Sequence, residues 1–150
     1  MGKSMEKKEI HLILKQGENY FAGGDFNRAR HCFEKINESD PYHVASLNNL
    51  GVVAFHEGDY IKASNYFHKA IELDNGYTDA IENLIKCLIA EGEFSDAVDL
   101  LRKTFESGAF NTGLLNTLSH CFIQLGDIQS AKQVLDESLK IDDRQTDVKT

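Results

Sequence analysis

The side chains best equipped for chemistry in this chain are six histidines, three cysteines and a surplus of carboxylates. His11, His31, His43, His56, His68 and His120 contain no pair four residues apart, and none stands four residues from a cysteine. No helical face therefore presents two such ligands together, whereas a zinc site needs three or four converging donors. His120 and Cys121 are sequence neighbours and project in different directions from a helix. Cys32, Cys87 and Cys121 are odd in number and widely spaced, which suits reduced thiols better than a disulfide framework. A cytoplasmic setting is the resulting expectation. No Ser-His-Asp, Cys-His or paired-carboxylate arrangement is legible from spacing. The chain is expected to be no enzyme and to need no metal or other cofactor.

Charge narrows the partners further. Sixteen Lys and Arg against twenty-four Asp and Glu give a net charge of -8, the wrong sign for a phosphate backbone or an anionic membrane surface. The one basic cluster, Lys3 with Lys7 and Lys8, is interrupted by Glu6 and Glu9. Nucleic acid is not an expected partner. No run approaches the ~18 apolar residues of a membrane span, so insertion is not expected either. Ile10 to Leu14 is broken by His11 and is no signal-peptide core. Met1-Gly2 opens like a myristoylation signal, but Glu6 stands where Ser or Thr is required. Gly2-Lys3-Ser4 copies the end of a phosphate-binding loop without its upstream glycine. A length of 150 residues, 41% hydrophobic and with a single proline, points to one domain over residues 1–150.

What positions any functional residue is a repeat. Gly24-Asp25-Phe26, Gly58-Asp59-Tyr60, Gly92-Glu93-Phe94 and Gly126-Asp127-Ile128 recur at a constant step of 34 residues. An alanine follows each triplet (Ala29, Ala63, Ala97, Ala131), and one helical turn later comes a large apolar residue (Phe33, Phe67, Leu101, Leu135). Four copies without an insertion imply a tandem array over about residues 10–43, 44–77, 78–111 and 112–145. Between triplets the apolar residues keep helical spacing, as in Leu47, Leu50, Ala54 and Phe55. The pattern predicts helices near 5–22, 26–37, 44–56, 60–73, 78–90, 94–106, 112–124 and 128–140, and no strand. The triplet glycine can end one helix in a left-handed conformation, and the acid after it can cap the next. Cys87 and Cys121 share the repeat position of Val53 and are expected to pack in the core.

These residues resemble the tetratricopeptide repeat, whose first helix carries Trp-x2-Leu-Gly-x2-Tyr and whose second carries Ala-x3-Phe before a proline. The second copy fits best, with Leu47, Leu50, Gly51, Ala54, Ala63 and Phe67, although Asn75 stands for the proline. The first matches at Gly17, Tyr20, Ala29, Phe33 and Pro41, with Gln16 for the leucine. The third has Ile85 at the glycine position and Ala109 at the proline. The fourth has Ser119 and Asp143 there. The resemblance covers about residues 10–143 and implies an all-α, right-handed superhelical solenoid of antiparallel helix hairpins. As a function it implies a protein-interaction scaffold or adaptor that binds a peptide of a partner in its concave groove.

In this family the first helices line the concave face. Counting positions from residue 10 in each copy, the sixth reads Lys15, Asn49, Asn83, Thr117 and the twelfth reads Phe21, Phe55, Ile89, Ile123. The Asn48-Asn49 segment resembles the asparagine ladders of O-linked N-acetylglucosamine transferase and kinesin light chain, in which the amide holds a peptide backbone. Asn48 and Asn116 occupy the adjoining fifth position, and Lys15, Lys86, Glu18, Asp79 and Glu82 would tune charge preference. A carboxylate clamp for a heat-shock chaperone tail would need lysine and asparagine where the first copy has Leu14 and Glu18, and lysine and arginine where the third has Asp79 and Asn83. Only Asn49 agrees, so that partner is not expected.

At the other end, the residues after Ile141 are too polar for a packed extra helix. Leu135, Leu139 and Ile141 should then be partly uncovered and form an edge for self-association, giving a possible homo-oligomer. A self-assembling structural protein, or a repeat module serving a larger enzyme such as a glycosyltransferase, are the alternatives to a free-standing adaptor.

Overall fold

A computed structural model describes the backbone of residues 4–108 and 111–148 and their side chains, apart from those of 142 and 144–148. Met1–Lys3, with the myristoylation-like start and one lysine of the basic cluster, and Ala109 at the third copy's proline position lie outside the described residues. The described residues form eight helices and no strand: α1 (Lys7–Ala22), α2 (Phe26–Ser39), α3 (Val44–His56), α4 (Tyr60–Leu73), α5 (Thr78–Ala90), α6 (Phe94–Glu106), α7 (Thr112–Gln124) and α8 (Ile128–Val148). From α1 to α7 both ends lie where the periodicity puts them or within a half-turn of it, and α8 departs from it. It runs on to Val148 because Asp143 stands where the first copy has Pro41, and no glycine or proline follows to stop it.

The turn inside each hairpin is set by the recurring triplet. Gly24, Gly58, Gly92 and Gly126 have φ of 82°, 83°, 79° and 80°, a left-handed region that costs a side chain about 1–2 kcal/mol. The following residue's amide then reaches back to the preceding helix, as Asp25 N donates to Tyr20 O at 2.9 Å and Asp59 N to Ala54 O at 3.0 Å. Asp25, Asp59 and Asp127 each accept the amide three residues on, at 3.1, 3.2 and 3.1 Å. Glu93 makes no such bond, since its extra methylene carries the carboxylate past the amide. Among the histidines, His43 has a plainly structural role, because its Nδ1 accepts Ser46 N at 3.2 Å and caps α3.

Packing gathers the chain into two compact units, residues 1–87 and 88–150. In the first, α1 closes on α2 and α3 on α4 through a glycine set against an aromatic ring. A Cβ on Gly17 would lie 2.5 Å from Phe33 Cε1, and one on Gly51 would lie 2.5 Å from Phe67 Cε1. Ala29, Phe33, Leu50 and Val53 form one buried cluster, with Leu14, Phe21, Phe26 and Tyr66 against it. Leu47, Ala70 and Ala80 form the next. Because Phe33 of the first hairpin shares a cluster with Leu50 and Val53 of the second, the core is continuous across the two hairpins. Arg30 on α2 forms an ion pair with Glu57 at the end of α3.

In residues 88–150, the buried apolar residues among those described are Ala97, Val98, Leu101, Leu114, Leu115, Leu118, Cys121, Phe122 and Ala131. Ser119, at the glycine position of the fourth copy, is buried and donates from Oγ to Ala131 O at 3.3 Å, so a small polar residue bridges the hairpin there. Cys32, Cys87 and Cys121 are all buried, in keeping with packing residues. Burial pushes the Cys121 thiol above its ordinary pKa, and does the same for Cys32 against the opposing pull of Lys35. No helix among the described residues is long and apolar enough to cross a membrane.

The glycine–phenylalanine contact generates a stability prediction. Gly51→Ala gains about 1 kcal/mol of helix propensity but forces a methyl into the fully enclosed Phe67 ring, an overpacking cost of about 1–3 kcal/mol. Urea unfolding should show a net loss of stability for Gly51→Ala, and a more stable variant would mean the ring moves freely. Asp59→Ala should cost about 0.5–2 kcal/mol in the same assay, because Lys62 N loses its acceptor.

Candidate functional site

Within residues 1–87 the first helices of successive hairpins lie side by side. Phe21 on α1 meets His56 on α3 with ring centroids 5.1 Å apart, and Asn48 on α3 meets Asn83 on α5. Lys15 and Lys86 are exposed along this side, Asn49 and Asn83 are half-buried, and Asn48 is 6% exposed. Phe21 and Phe55 are half-buried. Phe21 packs on Phe26 of its own hairpin at 5.3 Å and on His56 of the next, so its ring is shared between the hairpin interior and the seam. Phe55 sits 5.2 Å from Tyr60 and 5.8 Å from His56.

The two asparagines of the sixth position differ in a way that follows from the fifth. Asn83 Nδ2 donates to Asn48 Oδ1 at 3.0 Å, a bond from position six of one copy to position five of the copy before. That bond fixes the Asn83 amide while leaving it one N–H and its carbonyl. Asn49 has Leu14 at the corresponding place, and a leucine offers no acceptor. Among the described residues no side-chain hydrogen bond pins Asn49.

Beside Asn83 lies a pocket of about 250 Å³ lined by Val52, Phe55, His56, Phe67, Asn83 and Lys86. Phe67, 1% exposed, belongs to the hairpin core and forms the floor. Lys86 supplies the one full charge in the lining. The family resemblance puts Phe55, Asn83 and Lys86 on this side, and the repeat pattern makes Phe67 a residue packed between the two helices of its hairpin. Gly51 lets the Phe67 ring come up against α3, and a contact between two helices leaves no mark in the spacing along one of them.

The remaining sites lie in or beside residues 88–150. Ile89 is half-buried and Ile123 is 47% exposed. Asn116 is exposed, and its Oδ1 accepts Ser138 Oγ at 3.4 Å within the fourth hairpin. His120 rests edge-on to Phe94 with centroids 6.2 Å apart, and Cys121 points into the core, so the adjacent pair diverges. Along α8, Ile128, Leu135 and Leu139 are 54%, 41% and 62% exposed, and Ile141 is half-buried. Asp142 and 144–150 contribute no described side chain to that edge.

Comparison with known proteins agrees with this construction. Sequence models described as tetratricopeptide repeat match residues 14–78, 54–111 and 112–145. No curated protein matches the chain in sequence. Among solved structures, a crystal structure of MamA superposes with a TM-score of 0.84 at 20% identity, over 92% of this chain and 81% of that one. A tetratricopeptide repeat protein from Parabacteroides merdae gives 0.83 at 18% identity, over 91% of this chain and 54% of its own. The first TPR of Spaghetti (RPAP3), bound to the HSP90 peptide SRMEEVD, gives 0.66 at 19% identity, over 88% and 99%. At these identities the likeness is one of fold. With a constant 34-residue step, left-handed glycines at each hairpin turn and family matches running from residue 14 to 145, the chain belongs to the tetratricopeptide repeat family.

Proposed function

We propose that this chain is a protein-interaction scaffold that holds an extended peptide segment of a partner along the first-helix side of residues 1–87. The observation that carries the reading is the Asn48–Asn83 hydrogen bond beside an apolar pocket. An amide held in place can donate to a peptide carbonyl and accept from a peptide N–H, and desolvation by Phe55 makes such bonds effective. Asn49 offers the same pair of groups one copy earlier, and Lys15 and Lys86 set charge preference at the margin. The fold supports a scaffold role, and the peptide bound to the TPR of Spaghetti supports a peptide as the ligand class. That peptide ends in acidic residues, but this chain has Leu14, Glu18 and Asp79 at places where such a tail would need cations or amides, so the chaperone tail itself is not proposed.

Each amide should contribute about 0.5–1.5 kcal/mol, so Asn49→Ala with Asn83→Ala should weaken a bound peptide by about tenfold or more. Asn83→Ala should cost more than Asn49→Ala, because only the Asn83 amide is oriented before binding. Calorimetry on a captured partner peptide measures both, with Lys69→Ala as the control on the opposite helix. A partner indifferent to the double change and to Phe55→Ala binds elsewhere.

A second reading rests on a separate observation, the uncovered row of Ile128, Leu135 and Leu139 on α8. Exposed apolar rows of this kind favour association. Light scattering coupled to size exclusion should then show a mass that rises with concentration and returns to one chain in Leu139→Glu. A monomer at every concentration ends this second reading.

A further inference from the structure

The pocket on the first-helix side of residues 1–87 has a size, a floor and a charge that together specify what enters it. Its volume of about 250 Å³ is below the roughly 300–1,000 Å³ of a small-molecule cleft and fits one side chain. Val52, Phe55 and Phe67 give it apolar walls and an apolar floor, against which an apolar side chain is removed from water without losing a hydrogen bond. Lys86 at its margin is exposed and makes no ion pair among the described residues. No carboxylate lines the pocket, in a chain whose net charge is -8. His56, the other basic lining residue, is held by Phe21, Phe26 and Phe55 with centroids 5.1, 5.8 and 5.8 Å away. Asn83, fixed by Asn48, also lines the pocket and keeps one N–H and its carbonyl for a passing backbone.

Resting on the groove reading above, we infer that the pocket selects a peptide in which a single large apolar side chain, leucine, isoleucine, methionine or phenylalanine, lies next to an aspartate or glutamate. The apolar side chain fills the pocket over Phe67, its backbone pairs with the Asn83 amide, and the neighbouring carboxylate meets Lys86. The acidic surface elsewhere repels acidic peptides in general, so a carboxylate is accepted at this place and disfavoured away from it.

A phage-displayed library of short random peptides, selected against the whole chain and against Lys86→Glu, tests this. The wild type should enrich an apolar residue beside Asp or Glu, and Lys86→Glu should enrich the same apolar residue beside Lys or Arg. A synthetic peptide of the wild-type consensus should bind Lys86→Glu about tenfold or more weakly and Lys69→Ala unchanged. Val52→Trp, which fills the pocket, should lose the apolar preference, with its helicity checked by circular dichroism. Lys86 is exposed, so Lys86→Glu decides the matter even where Val52→Trp fails to fold. Enriched peptides that depend on Asn49 and Asn83 but show no acidic preference, or keep it in Lys86→Glu, overturn this inference and leave the groove reading standing. Enrichment of no peptide overturns both.

Discussion

The structure depends on how closely two antiparallel helices can approach within a hairpin. At Gly17 and Gly51 there is no room for even a Cβ, since the ring of Phe33 or Phe67 occupies the place. The contact exchanges a side chain on the first helix for a fully enclosed aromatic on the second. Burying such a ring stabilises more than the helix propensity lost at a glycine. With Phe33 and Phe67 locked in this way, Leu50 and Val53 can pack on the preceding hairpin, and the core runs on from one copy to the next.

Keeping that core in phase requires turns of constant length. The left-handed glycine and the aspartate cap do this locally, each satisfying amides or carbonyls that a helix end leaves unpaired. Where the punctuation is missing, the geometry changes. The fourth copy lacks a proline or glycine after its second helix, and α8 continues to Val148. Leu139 on this helix is 62% exposed.

The arrangement on the first-helix side of residues 1–87 is a consequence of the packing. Asn48 is buried because α5 lies against α3, and only there does its carbonyl meet Asn83. The pocket over Phe67 arises from the same neighbourhood, so residues that hold the hairpins together also line it. His43 and His56 show how groups that look chemical become structural in this setting. One caps a helix and the other packs among phenylalanines.

The amino-acid sequence by itself determined the repeat, the helices and their turns, because these rest on local forces: a 34-residue period, glycines that accept a positive φ, and aspartates within reach of a nearby amide. It also determined that Cys87 and Cys121 go to the core, since they share the place of Val53. The aligned positions put Asn49, Asn83, Phe55 and Lys86 on the first helices. They could not separate Asn49 from Asn83, whose difference depends on whether a residue 35 positions earlier is an asparagine facing it or a leucine. Tertiary structure alone decided that Phe21 packs between Phe26 and His56, that Phe67 is the floor of a pocket, and that Lys86 lines it. Each of these depends on distances between helices, and no periodicity along one helix carries that information.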